Sequence, residues 1–350
     1  MAMSSDNITV DPFSVSPRPN QSSCDVFAGQ AVATVLFPIF YLLVFLISAC
    51  GNSLVLYVIC RSQQKCNSTS IYLLNLALSD TLLTLVLPAR VTYYTRGFDW
   101  PFGDVMCTLN AVVFFANTYA GIGFMTCISV DRYLAMVHPH RLRGLRSVKV
   151  VRRVCGLVWA IVLLEVASVL FKSTLTTTGG KRTCMEFSNF GARSMLYLLL
   201  LACVFSFFLP LALILGCYAQ INRKLRSAAR QSPLGSGAGG GGGVGHRRAN
   251  TIILLILLTF TVSFGPYHVN IMQFMARSLL AEPPCQEKSD FKASLQVTVL
   301  LMNLNCALDP ILYFFAIKTY KKRVMSLFKG NKLTSSDLHL KVRQKSSSST

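Results

Sequence analysis

Long apolar segments recur along this chain, and shorter polar connections separate them. A helix needs about 20 residues to cross the hydrocarbon core of a bilayer, and seven segments reach or approach that length. They span residues 31–60, 71–94, 108–130, 154–171, 195–221, 251–276 and 294–317. The second, third and seventh contain isolated polar residues, so these three are assigned from their length and flanks as well. The pattern predicts an all-α membrane protein, a bundle of seven transmembrane helices.

The polar remainder consists of two termini and one long connection. Residues 1–30 lack the basic start and apolar core of a signal peptide, so the first span is expected to act as the signal anchor. Within the connection 222–250, five consecutive glycines predict flexible coil. Residues 318–329 alternate basic and apolar positions, which predicts a short amphipathic helix on the membrane surface before a disordered tail to residue 350. The membrane domain is therefore expected to cover residues 31–317.

Composition and charge place the chain in the membrane rather than on nucleic acid. Of 350 residues, 52% are hydrophobic and only 14% are charged, and the spans leave no room for a soluble catalytic domain. The net charge of +20 is unevenly distributed, since 24 of the 34 Lys and Arg residues fall in 61–69, 131–153, 222–250 and 318–350. This is the positive-inside signature of a chain whose N-terminus is extracellular and whose C-terminus is cytosolic. The partners expected for this excess are anionic membrane lipids, and no nucleic acid.

Four of the 12 cysteines lie on the predicted outer side. A disulfide between Cys107 and Cys184 would tie the loop before the fifth span to the start of the third, and Cys24 and Cys285 would remain as a second pair. Sequence alone does not decide between the possible pairings. Asn7 and Asn20 begin glycosylation sequons in the exported tail, so both are expected to carry glycan.

Carboxyl groups inside the predicted spans need a physical reason, since a charge at the helix centre costs at least about 2.5–3.5 kcal/mol. Asp80 and Asp309 are the informative pair, because amides and hydroxyls lie near both along the sequence. With Asn117 and Asn305 they could hold a sodium ion or share a proton. A polar network that only packs the helices is the alternative. No other cofactor is expected.

Arg90 is the central candidate for ligand binding. It follows the kinking Pro88 by two residues and would face an aromatic wall. The residues of that wall are Tyr93, Phe114, Phe115, Tyr119 and Tyr267. One strong donor beside aromatic rings suits a rigid apolar ligand with one or two hydroxyls, whereas a nucleotide would need several converging cations. An ion pair that only packs the helices is the alternative for Arg90. Glu165 could accept a hydrogen bond from a ligand or from a neighbouring helix.

A set of short motifs, each in the expected successive span, carries a family resemblance. Asp131-Arg132-Tyr133 ends the third span, and the other members are Gly51-Asn52, Asp80, Trp159, Pro210, Phe260, Pro266 and Asp309-Pro310-Ile311-Leu312-Tyr313. Over about residues 30–330 the chain resembles the rhodopsin-like (class A) family of G-protein-coupled receptors. The resemblance implies that G-protein coupling and activation involve Asp131, Arg132, Tyr133, Ile122, Pro210, Phe260, Asp309, Pro310 and Tyr313.

A closer resemblance is to the Epstein-Barr-virus-induced branch of that family, whose members are chemotactic receptors for dihydroxylated cholesterol. The segments that carry it include Gly97-Phe98-Asp99-Trp100, Asn117-Thr118-Tyr119-Ala120-Gly121, Thr183-Cys184-Met185-Glu186 and Pro266-Tyr267-His268-Val269. It implies an oxysterol ligand in contact with Arg90, Tyr119 and Tyr267, an inhibitory-type G protein, and a role in immune-cell migration. A further tyrosine of that branch, one turn before Tyr119, is replaced here by Phe115.

Other classes fit the sequence less well. A transporter would need a polar path, often with inverted repeats, and an intramembrane enzyme would need a nucleophile with a base. A retinal protein would need a lysine in the last span, and residues 293–317 contain none. The prediction is a receptor and not an enzyme, with a nucleotide or another lipid mediator as the alternative ligand. The serine-rich end, residues 346–350, is expected to recruit receptor kinases and arrestin.

Overall fold

The computed structural model describes residues 30–61, 67–170, 175–178, 180–185, 197, 200–231, 241–281 and 283–328. Its α-helices are α1 (Ala33–Arg61), α2 (Ser68–Thr95), α3 (Gly103–Val137), α4 (Val148–Leu170), α5 (Leu209–Gln231), α6 (Gly241–Leu280), α7 (Cys285–Ala316) and α8 (Lys318–Phe328). Two strands, β1 (Leu175–Thr178) and β2 (Lys181–Cys184), form a hairpin between α4 and α5. Short 3-10 helices cover Gln30–Val32 and Arg143–Arg146. The all-α bundle and the short helix after the last span are confirmed.

Six of the described helices are long and apolar enough to cross a membrane, judged by length and composition: Ala33–Arg61, Ser68–Thr95, Gly103–Val137, Leu200–Ser227, Asn250–Leu280 and Cys285–Ala316. Helix α4 occupies the place of the predicted fourth span. Its first turns carry Lys149, Arg152 and Arg153, which make that helix less apolar overall. Leucines on the outside of α1, such as Leu36 and Leu43, are more than half exposed, as a surface in contact with lipid requires.

Small residues let the helices approach closely around the central α3, which contacts α2, α4, α5 and α6. A methyl group added at Gly51 of α1 would collide with the ring of Pro310 in α7. One added at Gly121 would lie 3.2 Å from Phe264 and 3.3 Å from Asn305. Glycine at these two positions therefore allows α6 and α7 to pack against α1 and α3.

The start of α5 is wider than a regular helix. Residues Val204–Phe208 form a π-helical turn, and Pro210 follows two residues later. Because proline lacks a backbone N–H, it cannot donate to the residue four positions earlier. The turn directs Phe207 inward, where its ring stacks on Phe260 at 5.3 Å and on His268 at 4.5 Å.

Several boundaries differ from those expected. Helix α7 begins at Cys285 rather than at residue 294, because its first turns are polar and hydropathy detects only the apolar part. Helix α6 begins at Gly241, so three glycines assigned to flexible coil are helical, and extending a long helix costs less than starting one. Residues 1–29, with Asn7, Asn20 and Cys24, and residues 329–350 lie outside the described part of the chain, so the predictions about them stay predictions.

Candidate functional site

Polar residues concentrate at the two ends and in the centre of the bundle. The end where α3 begins is called here the Cys107 end, and the end where α3 finishes is called the Arg132 end. Each contains an almost fully buried charged side chain, Arg90 at the first and Asp131 at the second, with 7% and 3% of the residue exposed.

Neutral groups of the protein surround the Arg90 guanidinium. Its Nε donates to Asn110 Oδ1 at 2.8 Å, and its Nη1 lies 3.5 Å from the carbonyl oxygen of Cys184. Nη2 contacts the sulfur of Met185, and the Tyr93 ring centroid lies 6.0 Å from the guanidinium carbon. Among the described residues no carboxylate forms an ion pair with Arg90. The ion pair considered as an alternative for Arg90 is therefore not seen there, and the described partners of this buried cation are neutral.

The β1–β2 hairpin places two of those partners. Its strands pair antiparallel from Leu175 opposite Cys184 to Thr178 opposite Lys181. The backbone N–H of Trp100 donates to Arg182 O at 2.7 Å, and a disulfide joins Cys184 to Cys107 of α3. The predicted pairing of those two cysteines is confirmed, and it fixes the end of the hairpin over Arg90.

Only one cysteine of the second predicted disulfide lies among the described residues. Cys285, at the start of α7, is disulfide-bonded. Its predicted partner, Cys24, lies outside the described residues, so the pairing itself stays a prediction.

Asn110 holds the guanidinium in place and was not predicted. Its own Nδ2 donates to the carbonyl oxygen of Val86 at 3.2 Å, which turns its Oδ1 toward Arg90. An asparagine in the apolar face of α3, one turn after Cys107, is the signal that could have identified it. Asn110 and Met185 therefore belong to the candidate ligand site beside Arg90.

The predicted aromatic wall separates into two groups. Tyr93 is fully buried in a cluster at the mouth of the bundle, with ring centroids 5.0 Å from Tyr94, 5.8 Å from Phe98 and 6.0 Å from Trp100. On α3 the Phe115 ring stacks against Tyr119 at 6.5 Å.

The group around Tyr119 is deeper and more polar. Tyr119 lies near Glu165, and Tyr267 lies near both Tyr119 and Cys203. Glu165 is partly exposed, on the α4 helix at the side of the bundle. Tyr119, Tyr267 and Glu165 therefore form a second polar region, separate from the groups that hold the Arg90 guanidinium.

The centre of the bundle contains the predicted cation site. Asp80, Asn305 and Asp309 have no exposed surface, and Asn117 has 3%. Asp80 accepts hydrogen bonds from Asn117 Nδ2 at 2.9 Å and from the Tyr313 hydroxyl at 3.1 Å. Asn305 Nδ2 lies 3.4 Å from Asp309 Oδ2. Asn305 Oδ1 and Asp309 Oδ1 accept no hydrogen bond from the described residues, so two buried oxygens remain that fit a small cation.

Asp131 at the Arg132 end is a buried acid with several partners. Its carboxylate accepts hydrogen bonds from Ser68 Oγ and Thr69 Oγ1, both at 2.5 Å. Arg146 Nε donates to the same carboxylate at 2.9 Å and forms a salt bridge with it. Asp131 is therefore a buried acid. Its carboxylate is held by residues of α2 and of the 3-10 helix before α4. Those partners lie on other elements, where no local pattern in α3 could reveal them.

The other residues assigned to coupling lie below the ligand region or beside Arg132. Ile122 and Phe260 are buried, and the Phe260 ring lies 5.5 Å from that of Phe264. Arg132 is partly buried. The Tyr133 hydroxyl is 3.1 Å from His138 Nε2 and 3.3 Å from Gln220 Oε1 of α5. Pro210, Pro310 and Tyr313 lie in α5 and α7 as the motifs predicted.

Comparison with known proteins gives consistent matches over most of the chain. The profile of the 7 transmembrane receptor (rhodopsin family) matches residues 51–313. "G-protein coupled receptor 183" of Rattus norvegicus is 44% identical over 311 residues, which are 88% of this chain and 86% of that protein. The protein of the same name in Homo sapiens is 42% identical over 317 residues, covering 90% and 86%. A "Uracil nucleotide/cysteinyl leukotriene receptor" of Homo sapiens is 33% identical over 299 residues, covering 85% and 78%.

Proposed function

The chain belongs to the rhodopsin family of seven-transmembrane receptors, and we propose that it is a plasma-membrane receptor for a hydroxylated sterol. The sterol binds at the Cys107 end, which is extracellular together with the N-terminus. The Arg132 end is cytosolic, together with the C-terminus, and activates an inhibitory-type G protein that directs immune-cell migration. The positive-inside distribution of Lys and Arg supports this orientation.

One observation carries the ligand assignment, which is the buried Arg90 without an acidic partner in the part of the chain that the structure describes. Desolvating a cation costs several kcal/mol, and neutral acceptors such as Asn110 Oδ1 offset only part of that cost. A ligand hydroxyl that accepts from Arg90 adds a charge-assisted hydrogen bond without introducing a second charge. The rings around it, Tyr93 and Trp100 among them, suit an apolar ring system.

A nucleotide or another lipid mediator is the alternative, and the 33% identical relative named for uracil nucleotides and cysteinyl leukotrienes favours it. Lys292 of α7 is the second buried cation at the Cys107 end of the described chain. Two exposed arginines at this rim are paired with acids, since Arg277 Nη1 lies 3.0 Å from Glu287 and Arg96 lies 3.9 Å from Asp99. Phosphates would need several converging cations, so the described charges fit a hydroxylated sterol better.

Two panels of ligands distinguish the candidates. Cells that express the receptor with a G-protein dissociation reporter would be exposed to oxysterols and, in parallel, to nucleotides and cysteinyl leukotrienes. The proposal predicts a concentration-dependent response to dihydroxylated sterols and none to the second panel. A response to nucleotides or leukotrienes alone would replace the sterol with that class. Silence to both panels from a receptor proven to reach the surface would contradict the ligand assignment altogether.

We also propose that Asp80, Asp309, Asn117 and Asn305 bind sodium, which the two buried acceptor oxygens support. Bound sodium would raise the unfolding temperature of the receptor, whereas the same concentration of potassium would not. Asp309→Asn should remove the difference between the two salts in a thermal-unfolding assay. Equal unfolding temperatures in both salts for the unmodified receptor would contradict the site. Glycans on Asn7 and Asn20, and kinase and arrestin binding through residues 346–350, remain part of the proposal.

A further inference from the structure

A cavity of about 580 Å³ lies at the Arg132 end, between the first turns of α2 and α4. Its volume is typical of sites that bind small molecules. Two helix N-termini form its walls, since Asn67 caps α2 and Ser147 directly precedes α4. Polar and basic residues line it: Asn67, Ser68, Arg143, Gly144, Arg146, Ser147 and Val148.

The walls of this cavity contain hydrogen-bond donors that can bind a further acceptor. Arg143 is exposed and forms no ion pair with any acid of the described residues. Arg146 uses Nε for Asp131 and Nη2 for Ser68, the latter at 3.3 Å. A guanidinium has five N–H donors, so Arg146 can also donate to an acceptor inside the cavity. Each helix N-terminus adds a partial positive charge.

The surroundings of the cavity are also basic. Lys149, Arg152 and Arg153 on the first turns of α4 are exposed, and residues 132–153 contain no acid. Because α2 and α4 cross the membrane, their first turns lie at the depth of the phospholipid headgroups. With the orientation given under the proposed function, that leaflet is the cytosolic one, which is rich in anionic lipids.

We propose that this cavity binds a phosphate-monoester group, supplied by the phosphorylated headgroup of an anionic lipid. A phosphate monoester carries about 1.5 to 2 negative charges and three terminal oxygens, which match two guanidinium groups and the Ser147 hydroxyl. The carboxylate of a phosphatidylserine headgroup offers two oxygens and one charge. A phosphate bound to Arg146 would also compete with Asp131, next to Arg132 in the chain.

Binding can be measured on the purified full-length receptor in phosphatidylcholine nanodiscs. The probes are dioctanoyl phosphatidylinositol 4,5-bisphosphate, dioctanoyl phosphatidylserine and free inositol 1,4,5-trisphosphate. Arg143→Gln removes an exposed wall cation, and we expect about tenfold weaker binding of the bisphosphate lipid. Ser147→Asp should weaken binding by a similar factor or more, because it adds a negative charge, and aspartate is well tolerated directly before a helix. Arg152→Gln, the matched control outside the cavity, should change affinity less than roughly twofold.

Three results would overturn the proposal. Equal losses in Arg143→Gln and Arg152→Gln would mean diffuse attraction to a basic surface. Phosphatidylserine binding as tight as that of the bisphosphate lipid would exclude recognition of a phosphate monoester. Free inositol trisphosphate binding as tightly as the lipid would identify a soluble ligand instead. The assay contains neither sterol nor G protein, so its failure and the failure of the proposed receptor function are distinguishable.

Discussion

Arg90 at the Cys107 end and Asp131 at the Arg132 end are both buried, but their partners differ in charge. Arg90 is surrounded by an amide, a carbonyl and a thioether. Asp131 is neutralised by Arg146 and accepts two further hydrogen bonds from hydroxyls of α2. Within the described ranges, one end therefore leaves a charge without a counter-ion, and the other pairs its charge with an arginine.

The two ends differ in how far the partners of the buried charge compensate for its removal from water. Removing an ion from water costs several kcal/mol, and an opposite charge with good geometry offsets this better than neutral groups do. At the Cys107 end the neutral partners compensate for only part of the cost of removing Arg90 from water. A ligand that accepts a hydrogen bond from Arg90 can compensate for more of that cost. At the Arg132 end the paired acid connects α3 to α2 and to the segment before α4, so it helps to hold these elements together.

The largest expected effect concerns Arg132. Because this residue lies far from the ligand region, Arg132→Ala should abolish G-protein activation while leaving sterol affinity within about twofold. A G-protein dissociation assay and a binding assay on the same membranes would measure the two effects. Unchanged activation in the mutant would contradict the assignment of Arg132 to coupling.

Removing the basic partner of Asp131 tests the paired end directly. Arg146→Gln leaves a buried carboxylate without its counter-ion, so the receptor should lose about 1–3 kcal/mol of stability. The unfolding temperature of the purified receptor would fall, whereas Arg152→Gln, an exposed cation outside the pair, should leave it within about 0.5 kcal/mol of the unmodified receptor. Equal unfolding temperatures in both variants would show that the salt bridge contributes nothing.

Removing a tyrosine hydroxyl of the deeper region should lower sterol potency less than removing the buried Arg90 side chain does. Tyr119→Phe removes one neutral hydrogen-bonding group, which is worth about 0.5–1.5 kcal/mol, so sterol potency should fall by about two- to tenfold. Phe115→Tyr adds a hydroxyl on the neighbouring ring and should raise potency. These shifts would be measured as the sterol concentration for half-maximal G-protein activation. A loss for Tyr119→Phe larger than that for Arg90→Ala would move the centre of the site to the tyrosines.

The smallest effect concerns the off state. The sequence at the start of the sixth span, residues 246–251, offers Arg132 no acid, so ligand-independent signalling should rise with receptor expression. His246→Glu should lower it, by no more than about 1 kcal/mol, the usual value of an exposed ion pair. Basal activity equal to that of mock-transfected cells at every expression level, in sterol-depleted medium, would show that other contacts hold the off state.

The sequence predicted the spans and the buried motifs because hydropathy and charge distribution are local properties. The amphipathic α8 agrees with its prediction for the same reason, whereas the Cys107–Cys184 bridge joins positions 77 apart and was predicted from the outer location of both cysteines. The polar first turn of α7 was missed because it lies outside the apolar stretch that defines a span.

The partners of the two buried charges could not be predicted in the same way. Met185 and Arg90 are 95 positions apart, and Ser68 and Asp131 are 63 apart, so no local pattern links them. The β1–β2 hairpin is short and polar on one side, and its contacts depend on Trp100 and the disulfide. Asn110 alone had a local signal, as an amide in an apolar helix face.

The central claim is that Arg90, which has no acidic partner among the described residues, donates a hydrogen bond to a hydroxyl of the ligand. The most direct test is the affinity of a dihydroxylated sterol for Arg90→Ala, with Arg96→Ala as the control, since Arg96 is an exposed arginine in the turn after α2. The account predicts that Arg90→Ala weakens binding by about 1.5–3 kcal/mol, or more than tenfold, and that Arg96→Ala leaves it unchanged. Full sterol affinity in a correctly folded Arg90→Ala receptor would contradict it.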